Sequence, residues 1–103
     1  MNGTTVKSSV EHLSGILDKF AIGDLDGFSY DGLASAITEL ETFFNTNTNN
    51  PDLHTLVGLV SSIISHFYVA RGYAATPDVP RHLEYYQNMN SARRLIQQIK
   101  ELK

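Results

Sequence analysis

The residues of this chain best placed to do chemistry are a histidine and three small residues on one predicted helix. His54, Gly58, Ser61 and Ser65 are spaced four, three and four residues apart, so they share one helix face. An imidazole with a small residue one turn later could carry a phosphoryl group, because a partner protein can approach it closely. The small-residue stripe formed by Gly58, Ser61 and Ser65 could instead serve a close helix crossing, or be the one side of the helix open to a partner.

The segment His54-Thr55-Leu56-Val57-Gly58 resembles the His-x-Leu-Lys-Gly core of histidine phosphotransfer domains, which are four-helix bundles of about this length. The resemblance implies phosphoryl transfer at His54. Two features depart from that pattern, since Val57 occupies the lysine position and His54 falls in the first turn of its predicted helix. We therefore favour the alternative in which His54 is a capping or surface residue and Gly58 allows close packing.

Other reactive groups do not form a recognisable site. The remaining three histidines belong to different predicted helices, and none has a carboxylate or second histidine at metal-ligand spacing. Asp24, Asp26 and Asp31 lie in one connection, but the glycine and the final glutamate of a calcium-binding loop are missing from their places. No nucleophile elbow or phosphate-binding loop occurs. We expect no enzymatic activity, no cofactor and no metal ion.

Length and composition predict one cytoplasmic domain covering residues 1–103. The chain has no cysteine, as is natural in a reducing compartment, and its first twelve residues lack the apolar run of a signal peptide. The central apolar segment is interrupted by polar residues, so we expect no transmembrane segment. We also expect no nucleic-acid partner.

Charge is divided unevenly along the chain. The first 52 residues contain eight acidic and two basic residues, whereas the remainder contains six basic and three acidic residues. The net charge of −3 therefore combines −6 in the first part with +3 in the second. We expect the two parts to attract each other within the fold; the alternative is a basic C-terminal surface that faces lipid phosphates or an acidic partner.

Apolar residues at helical spacing predict four amphipathic helices joined by short polar connections. Such segments form an all-α, antiparallel up-down four-helix bundle. The predicted helices cover residues 5–21, a segment from 29 or 31 to 45, residues 50–73 and residues 80–102.

The third predicted helix is the centre of the bundle because it is apolar on nearly every side. Asn50 is expected to cap it, with Pro51 in the first helical position. Only the small-residue stripe and His54 are left uncovered by apolar side chains. The residues expected to contact neighbouring helices are Leu53, Leu56, Val57, Leu59, Val60, Ile63, Ile64, Phe67, Tyr68 and Val69.

Aromatic residues gather where the third helix ends and the fourth begins. They either close the core at this end of the bundle or form a partner-binding end, with Arg71, Arg81 and His82 supplying charge beside them. The aromatic residues are Phe67, Tyr68, Tyr73, Tyr85 and Tyr86.

The same region resembles the immunity proteins for class IIa, or pediocin-like, bacteriocins. The resemblance rests on residues 59–68, on Arg71, on a proline-containing turn and on residues 83–86, together with the helix order. Those proteins are cytoplasmic antiparallel four-helix bundles of about 100 residues, and they tend to be basic, unlike this chain. The resemblance implies binding without catalysis, in which a bacterial protein protects its cell by recognising the bacteriocin bound to its membrane receptor.

Carried over to this sequence, the resemblance and the aromatic cluster predict five partner-binding residues. They are Arg71, Tyr73, Arg81, Tyr85 and Arg94. The alternative function is a small helical adaptor or regulatory protein that self-associates and binds another protein through Gly58, Ser61 and Ser65. The sequence leaves monomer and dimer equally open.

Overall fold

Four α-helices and no β-strand form the part of the chain that the structure, a computed structural model, describes, namely residues 2–18, 30–74 and 83–102. The predicted all-α four-helix bundle is confirmed. Buried residues from all four helices belong to one hydrophobic cluster. The helices are α1 (Asn2–Asp18), α2 (Tyr30–Asn47), α3 (His54–Ala74) and α4 (Leu83–Lys100).

The start of the central helix is fixed by its capping residues, as predicted. The side chain of Asn50 accepts a hydrogen bond of 3.0 Å from the backbone N–H of Asp52, and Pro51 follows in the first position. A single 3₁₀ turn, Pro51–Leu53, then leads into α3. Asn50 is extended, as is typical of a capping residue, and Pro51 has no N–H that would need a partner in the first turn. The connection from α2 to this turn comprises residues 48–50.

The predicted apolar stripes form the core. On α4 the apolar residues at helical spacing, Tyr85, Met89, Ala92, Ile96 and Ile99, are all buried. On α1 and α2 the described residues of the apolar stripes are buried, except Val6 and Phe44, which are partly buried and pack against the core. Phe20 lies outside the described residues, and so does the side chain of Tyr30.

Helices α2, α3 and α4 alternate in direction. The three-residue connection before Pro51 reverses the chain between α2 and α3, which pack against each other. His66 of α3 and Asn88 of α4 are joined by a hydrogen bond of 2.8 Å between Nδ1 and Oδ1, which pairs the later half of α3 with the first half of α4.

The direction of α1 departs from simple alternation. Lys100 Nζ lies 2.9 Å from Asp18 Oδ1, and each residue is the last or nearly the last of its helix. Helix α1 also contacts the 3₁₀ turn that precedes α3. The C-terminal ends of α1 and α4 therefore meet at the same end of the bundle. An amphipathic stripe specifies which face of a helix is buried but not the direction in which the helix runs.

Helix α3 is less enclosed than its composition predicts. Its buried residues, Leu56, Val57, Val60, Ile63, Phe67 and Ala70, form one broad face, which Leu53 of the preceding 3₁₀ turn extends. Leu59 and Ile64 are only partly buried, while Tyr68 and Val69 are 41% and 44% exposed. The prediction that α3 is covered on nearly every side is therefore wrong, since one side of it is exposed among the described residues.

Candidate binding surface

The exposed side of α3 is a continuous surface without a charged side chain. We call it the α3 outer face. None of its residues is Asp, Glu, Lys or Arg, and most are small. Its members are His54, Thr55, Gly58, Ser61, Ser62, Ser65, Tyr68, Val69 and Gly72, and all are exposed.

The small-residue stripe lies along the middle of this face and is open. A Cβ atom built on Gly58 or on Gly72 meets no described atom within 4 Å. The stripe is therefore not used for a close helix crossing among the described residues. The other interpretation made from the sequence, a side of the helix open to a partner, stays a prediction.

The spacing of residues along α3 assigns two more residues, Tyr68 and Gly72, to this surface. Beyond Ser65, steps of three and four residues reach Tyr68 and Gly72, so both continue the face begun by His54. The apolar run of α3 predicts that Tyr68 contacts a neighbouring helix, whereas the aromatic cluster also allows it a place in a partner-binding end. Periodicity, more than hydrophobicity, identifies it as a surface residue.

Tyr68 is held in place by two charged side chains. Its hydroxyl donates a hydrogen bond of 2.7 Å to Oε2 of Glu41 on α2. The guanidinium carbon of Arg71 lies 4.9 Å from the centroid of the Tyr68 ring, in cation–π geometry. An exposed aromatic ring is thus fixed in orientation, with an acidic and a basic group beside it.

The Glu41 carboxylate changes the acidity of the Tyr68 hydroxyl. The hydrogen bond to Glu41 is the largest cause that raises the pKa of Tyr68 above its usual value of 10.0, followed by desolvation and by the charge of Glu41. The positive charge of Arg71 opposes this shift. Tyr68 therefore remains a neutral hydrogen-bond donor throughout the physiological pH range.

The five predicted partner-binding residues occupy different environments. Arg71 and Tyr73 are half-buried near the C-terminal end of α3, and Tyr73 packs against the core. Arg94 is exposed on α4, where its guanidinium donates a 3.2 Å hydrogen bond to the Ser91 hydroxyl. Arg81 lies outside the described residues.

Tyr85 requires a correction. It is 8% exposed and belongs to the hydrophobic core, with its ring in edge-to-face contact with that of Tyr86 at 5.1 Å. The apolar stripe of α4 draws it inward, so it supports the packing of α4 and offers little surface to a partner. Tyr86, its neighbour, is 37% exposed.

His54 is exposed at the first position of α3, and Gly58 leaves space one turn later. Both features agree with the local pattern of a phosphotransfer site. Val57, in the position of the lysine, is 8% exposed and lies in the core. No positive side chain at that position can therefore offset the charge of a phosphoryl group.

The two oppositely charged parts of the sequence meet in the ion pair between Asp18 and Lys100. The pair joins the acidic first part of the chain to the basic second part, as the internal-attraction interpretation expects. Their side chains are 65% and 41% exposed, so water and salt screen the attraction strongly.

A concavity that the sequence did not predict lies between α1 and α2. It is a groove of about 720 Å³ lined by residues that include Glu11, His12, Gly15, Glu39 and Phe43. The His12 and Phe43 rings stack across it with centroids 6.0 Å apart. The groove is wide and open, and its lining mixes two carboxylates with apolar side chains.

Two further findings concern metals and membranes. Among residues 2–18, 30–74 and 83–102, no group of three or more His, Asp or Glu side chains could hold a metal ion.

The segment Pro51–Tyr73 is long and apolar enough to cross a membrane, judged by length and composition alone, with 39% of its most apolar window buried. Core helices of soluble proteins meet the same criterion, so the absence of a membrane span stays a prediction.

Comparison of the chain with protein-family models, with curated proteins and with solved structures gives no match.

Proposed function

We propose that this chain is a non-catalytic, cytoplasmic binding protein, and that within this class it is a bacteriocin immunity protein that protects the cell producing the bacteriocin. The observation that carries the binding function is the α3 outer face with Tyr68 fixed between Glu41 and Arg71. Tyrosine and arginine are enriched among the residues that dominate binding energy at protein interfaces. A ring already held in one orientation loses little conformational entropy when a partner covers it.

The specific role rests on the resemblance of residues 59–68, Arg71 and residues 83–86 to class IIa immunity proteins. Tyr68 and Arg71 both lie in this region, which links the resemblance to the exposed surface. The partner would be a bacteriocin bound to its receptor at the membrane face. The net charge of −3 argues against attraction to an anionic membrane as the basis of binding and favours contacts with the protein complex itself.

Expression of the chain in a strain sensitive to pediocin-like peptides tests this proposal. We expect protection from at least one such peptide, and we expect Tyr68→Ala combined with Arg71→Ala to abolish it. Gln87→Ala combined with Gln98→Ala is the matched control, since it truncates two exposed side chains of α4 outside the region of resemblance. Unchanged killing by every peptide tried, with the protein folded and abundant, would remove the support for this role.

A second function, that of a small adaptor that self-associates and binds another protein, is favoured by one observation. Gly58 and Gly72 occupy helical positions with open space above them, and the residues between them on the same face are small and uncharged. Glycine in a helix interior is less stable than alanine, and nothing among the described residues compensates for that loss. A helix of another molecule could pack closely on this surface.

A further inference from the structure

We infer that His66 carries its ring proton on Nδ1, and that His66, Asn88 and the backbone carbonyl of Glu84 form a directional relay that fixes the position of α3 along α4. The inference goes beyond the proposed function, because it concerns how the half of α3 that carries Tyr68 is held in place. It is the same whichever partner the α3 outer face binds.

The relay consists of two hydrogen bonds in series. Nδ2 of Asn88 donates a hydrogen bond of 2.7 Å to the backbone carbonyl of Glu84, one turn earlier on α4. Oδ1 of the same amide lies 2.8 Å from Nδ1 of His66 on α3. The side chains of His66 and Asn88 are both half-buried, so water competes for these groups less than it does at an open surface.

The carbonyl of Glu84 sets the direction of the relay. A carbonyl oxygen can only accept, so Asn88 must turn its NH₂ group toward Glu84. The amide oxygen then faces His66, and because this oxygen also only accepts, Nδ1 of His66 must be the donor. A neutral imidazole has a single N–H, so the tautomer is Nδ1–H and Nε2 carries no proton.

The other tautomer would require the Asn88 amide to be turned over. Nδ2 could then donate to an unprotonated Nδ1 of His66. The amide oxygen, however, would take the present place of Nδ2, 2.7 Å from the carbonyl oxygen of Glu84, and no proton would lie between these two acceptors. One hydrogen bond would be lost and a repulsion added. The backbone of α4 therefore selects the tautomer of a residue on α3.

Apolar packing alone does not determine where α3 lies along α4. Burial of apolar surface is non-directional, and the buried residues of α4 recur at intervals of three and four. A slide of one turn, about 5.4 Å, would again bring apolar residues opposite apolar residues. The same slide would carry His66 out of reach of Asn88 and leave both half-buried groups without their partner. A polar contact of this kind specifies one alignment among several.

NMR of the histidine rings tests the tautomer directly. Long-range ¹H–¹⁵N correlation at about pH 9, where ordinary imidazoles are neutral, separates a protonated ring nitrogen from an unprotonated one. We expect the protonated nitrogen of His66 to be Nδ1, with the exposed ring of His54 as the internal reference. The signal that disappears in His66→Asn belongs to His66. A ring of His66 that is mainly Nε2–H overturns the inference.

Two amide substitutions separate the roles of the two ring nitrogens. His66→Asn keeps an N–H donor near the place of Nδ1, whereas His66→Gln, one carbon longer, moves the donor toward the place of Nε2. We expect His66→Gln to lower the folding equilibrium constant about fivefold, as for one lost hydrogen bond, and His66→Asn to lower it less than about twofold.

The matched controls are Ser61→Asn and Ser61→Gln, at an exposed position of the same helix. They measure the difference in helix propensity between the two amides, which is subtracted before the His66 variants are compared. Urea denaturation gives all four equilibrium constants. Equal losses in His66→Asn and His66→Gln after this correction overturn the assignment of the donor to Nδ1.

Spin labels test the alignment of the two helices. The chain has no cysteine, so Ser61→Cys and Gln87→Cys, both exposed, supply one label on α3 and one on α4. The two sites are offset along the helix axes, so a slide changes the distance between the labels. We expect one narrow distance distribution in this pair and a broader one when Asn88→Ala is added. An unchanged distribution overturns the role of the relay in the alignment.

Discussion

Helices α3 and α4 pack side by side and bury similar apolar stripes, but they present opposite surfaces to their surroundings. The α3 outer face has no Asp, Glu, Lys or Arg, whereas the exposed side of α4 is mostly polar and charged, with Leu83 and Tyr86 as exposed apolar residues at its beginning. The polar and charged side chains of α4 include Glu84, Gln87, Asn90, Arg93, Arg94, Gln97, Gln98 and Lys100.

This difference separates the needs of folding from the needs of binding. A charged, flexible surface such as that of α4 keeps a small domain soluble and is costly to dehydrate. The small, neutral side chains of α3 lose little hydration and little rotamer entropy when they are covered. The surface of α4 therefore suits permanent contact with water, and that of α3 suits contact with another helix.

The largest effect should come from the buried side of α3. Phe67 is 0% exposed, so Phe67→Ala should lower the free energy of unfolding by about 3–5 kcal/mol through lost burial and a residual cavity. Val69→Ala, two residues away at 44% exposure, should change it by less than about 1 kcal/mol. Urea denaturation measures both, and similar losses in the two variants would contradict the division of α3 into a buried and an open side.

A smaller effect, of opposite sign, is expected on the outer face. Gly58→Ala and Gly72→Ala should each raise the stability of the monomer by about 0.5–1 kcal/mol, because the added methyl groups meet nothing and alanine favours the helix. Gln98→Ala on α4 is the control and should change stability by less than about 0.5 kcal/mol. Thermal unfolding at low protein concentration is the measurement. Destabilisation by Gly58→Ala would reveal a neighbour packed on the face.

The next prediction concerns the charged surface of α4, where Lys100 forms an ion pair with Asp18. A double-mutant cycle with Lys100→Ala and Asp18→Ala should give a coupling of about 0.2–1 kcal/mol, which decreases as salt is added. Both side chains are largely exposed, which keeps the value small. A coupling of zero at low salt would argue against the meeting of the C-terminal ends of α1 and α4.

The pKa of Tyr68 provides a finer probe of the outer face. Since the hydrogen bond to Glu41 is the main cause of the raised pKa, Glu41→Gln should lower it toward the usual value. A raised pKa favours the neutral phenol in the folded state, so this contribution to stability is complete below the unfolded pKa. It is lost as the pH rises through the folded pKa. Ultraviolet phenolate titration, with Tyr68→Phe subtracted to isolate this tyrosine, measures the shift, and an unchanged pKa in Glu41→Gln would exclude the contact in solution.

The smallest expected effect concerns His54 at the beginning of the outer face. Because the lysine position is filled by the buried Val57, we expect no phosphoryl label on His54 after incubation with phosphorylated response regulators. His54→Gln is the control for background labelling. A label lost in His54→Gln would assign phosphotransfer to this surface and replace the binding functions proposed above.

Local sequence signals predicted the elements of the fold well. Asn50 and Pro51 gave the start of the central helix, and the stripe from Tyr85 to Ile99 gave the buried side of α4 without error. Both signals depend on residues close together in the sequence, so they can be recognised from one sequence alone. The direction of α1 depends on contacts such as that of Asp18 with Lys100, 82 residues apart, which no local pattern reports.

The candidate binding surface was predicted less well, for two physical reasons. Tyr68 and Val69 are apolar enough for a core, but the helices that pack on α3, α2 and α4, leave these two residues exposed. Tyr85 carries the features of a recognition residue, yet its place in the α4 stripe decides its burial. Hydrophobicity describes what a side chain prefers, whereas the geometry of the bundle decides which positions can be enclosed.

The meeting of the C-terminal ends of α1 and α4 also bears on how the chain folds. Helices α2, α3 and α4 make their contacts through neighbours in sequence, and α3 packs most extensively on α4. Helix α1 packs less extensively, and its contact with α4 joins opposite ends of the chain. Long-range contacts form late and open at lower free energy than a local core. Backbone amides of α1 should therefore exchange with deuterium through a partial unfolding that leaves α3 and α4 intact.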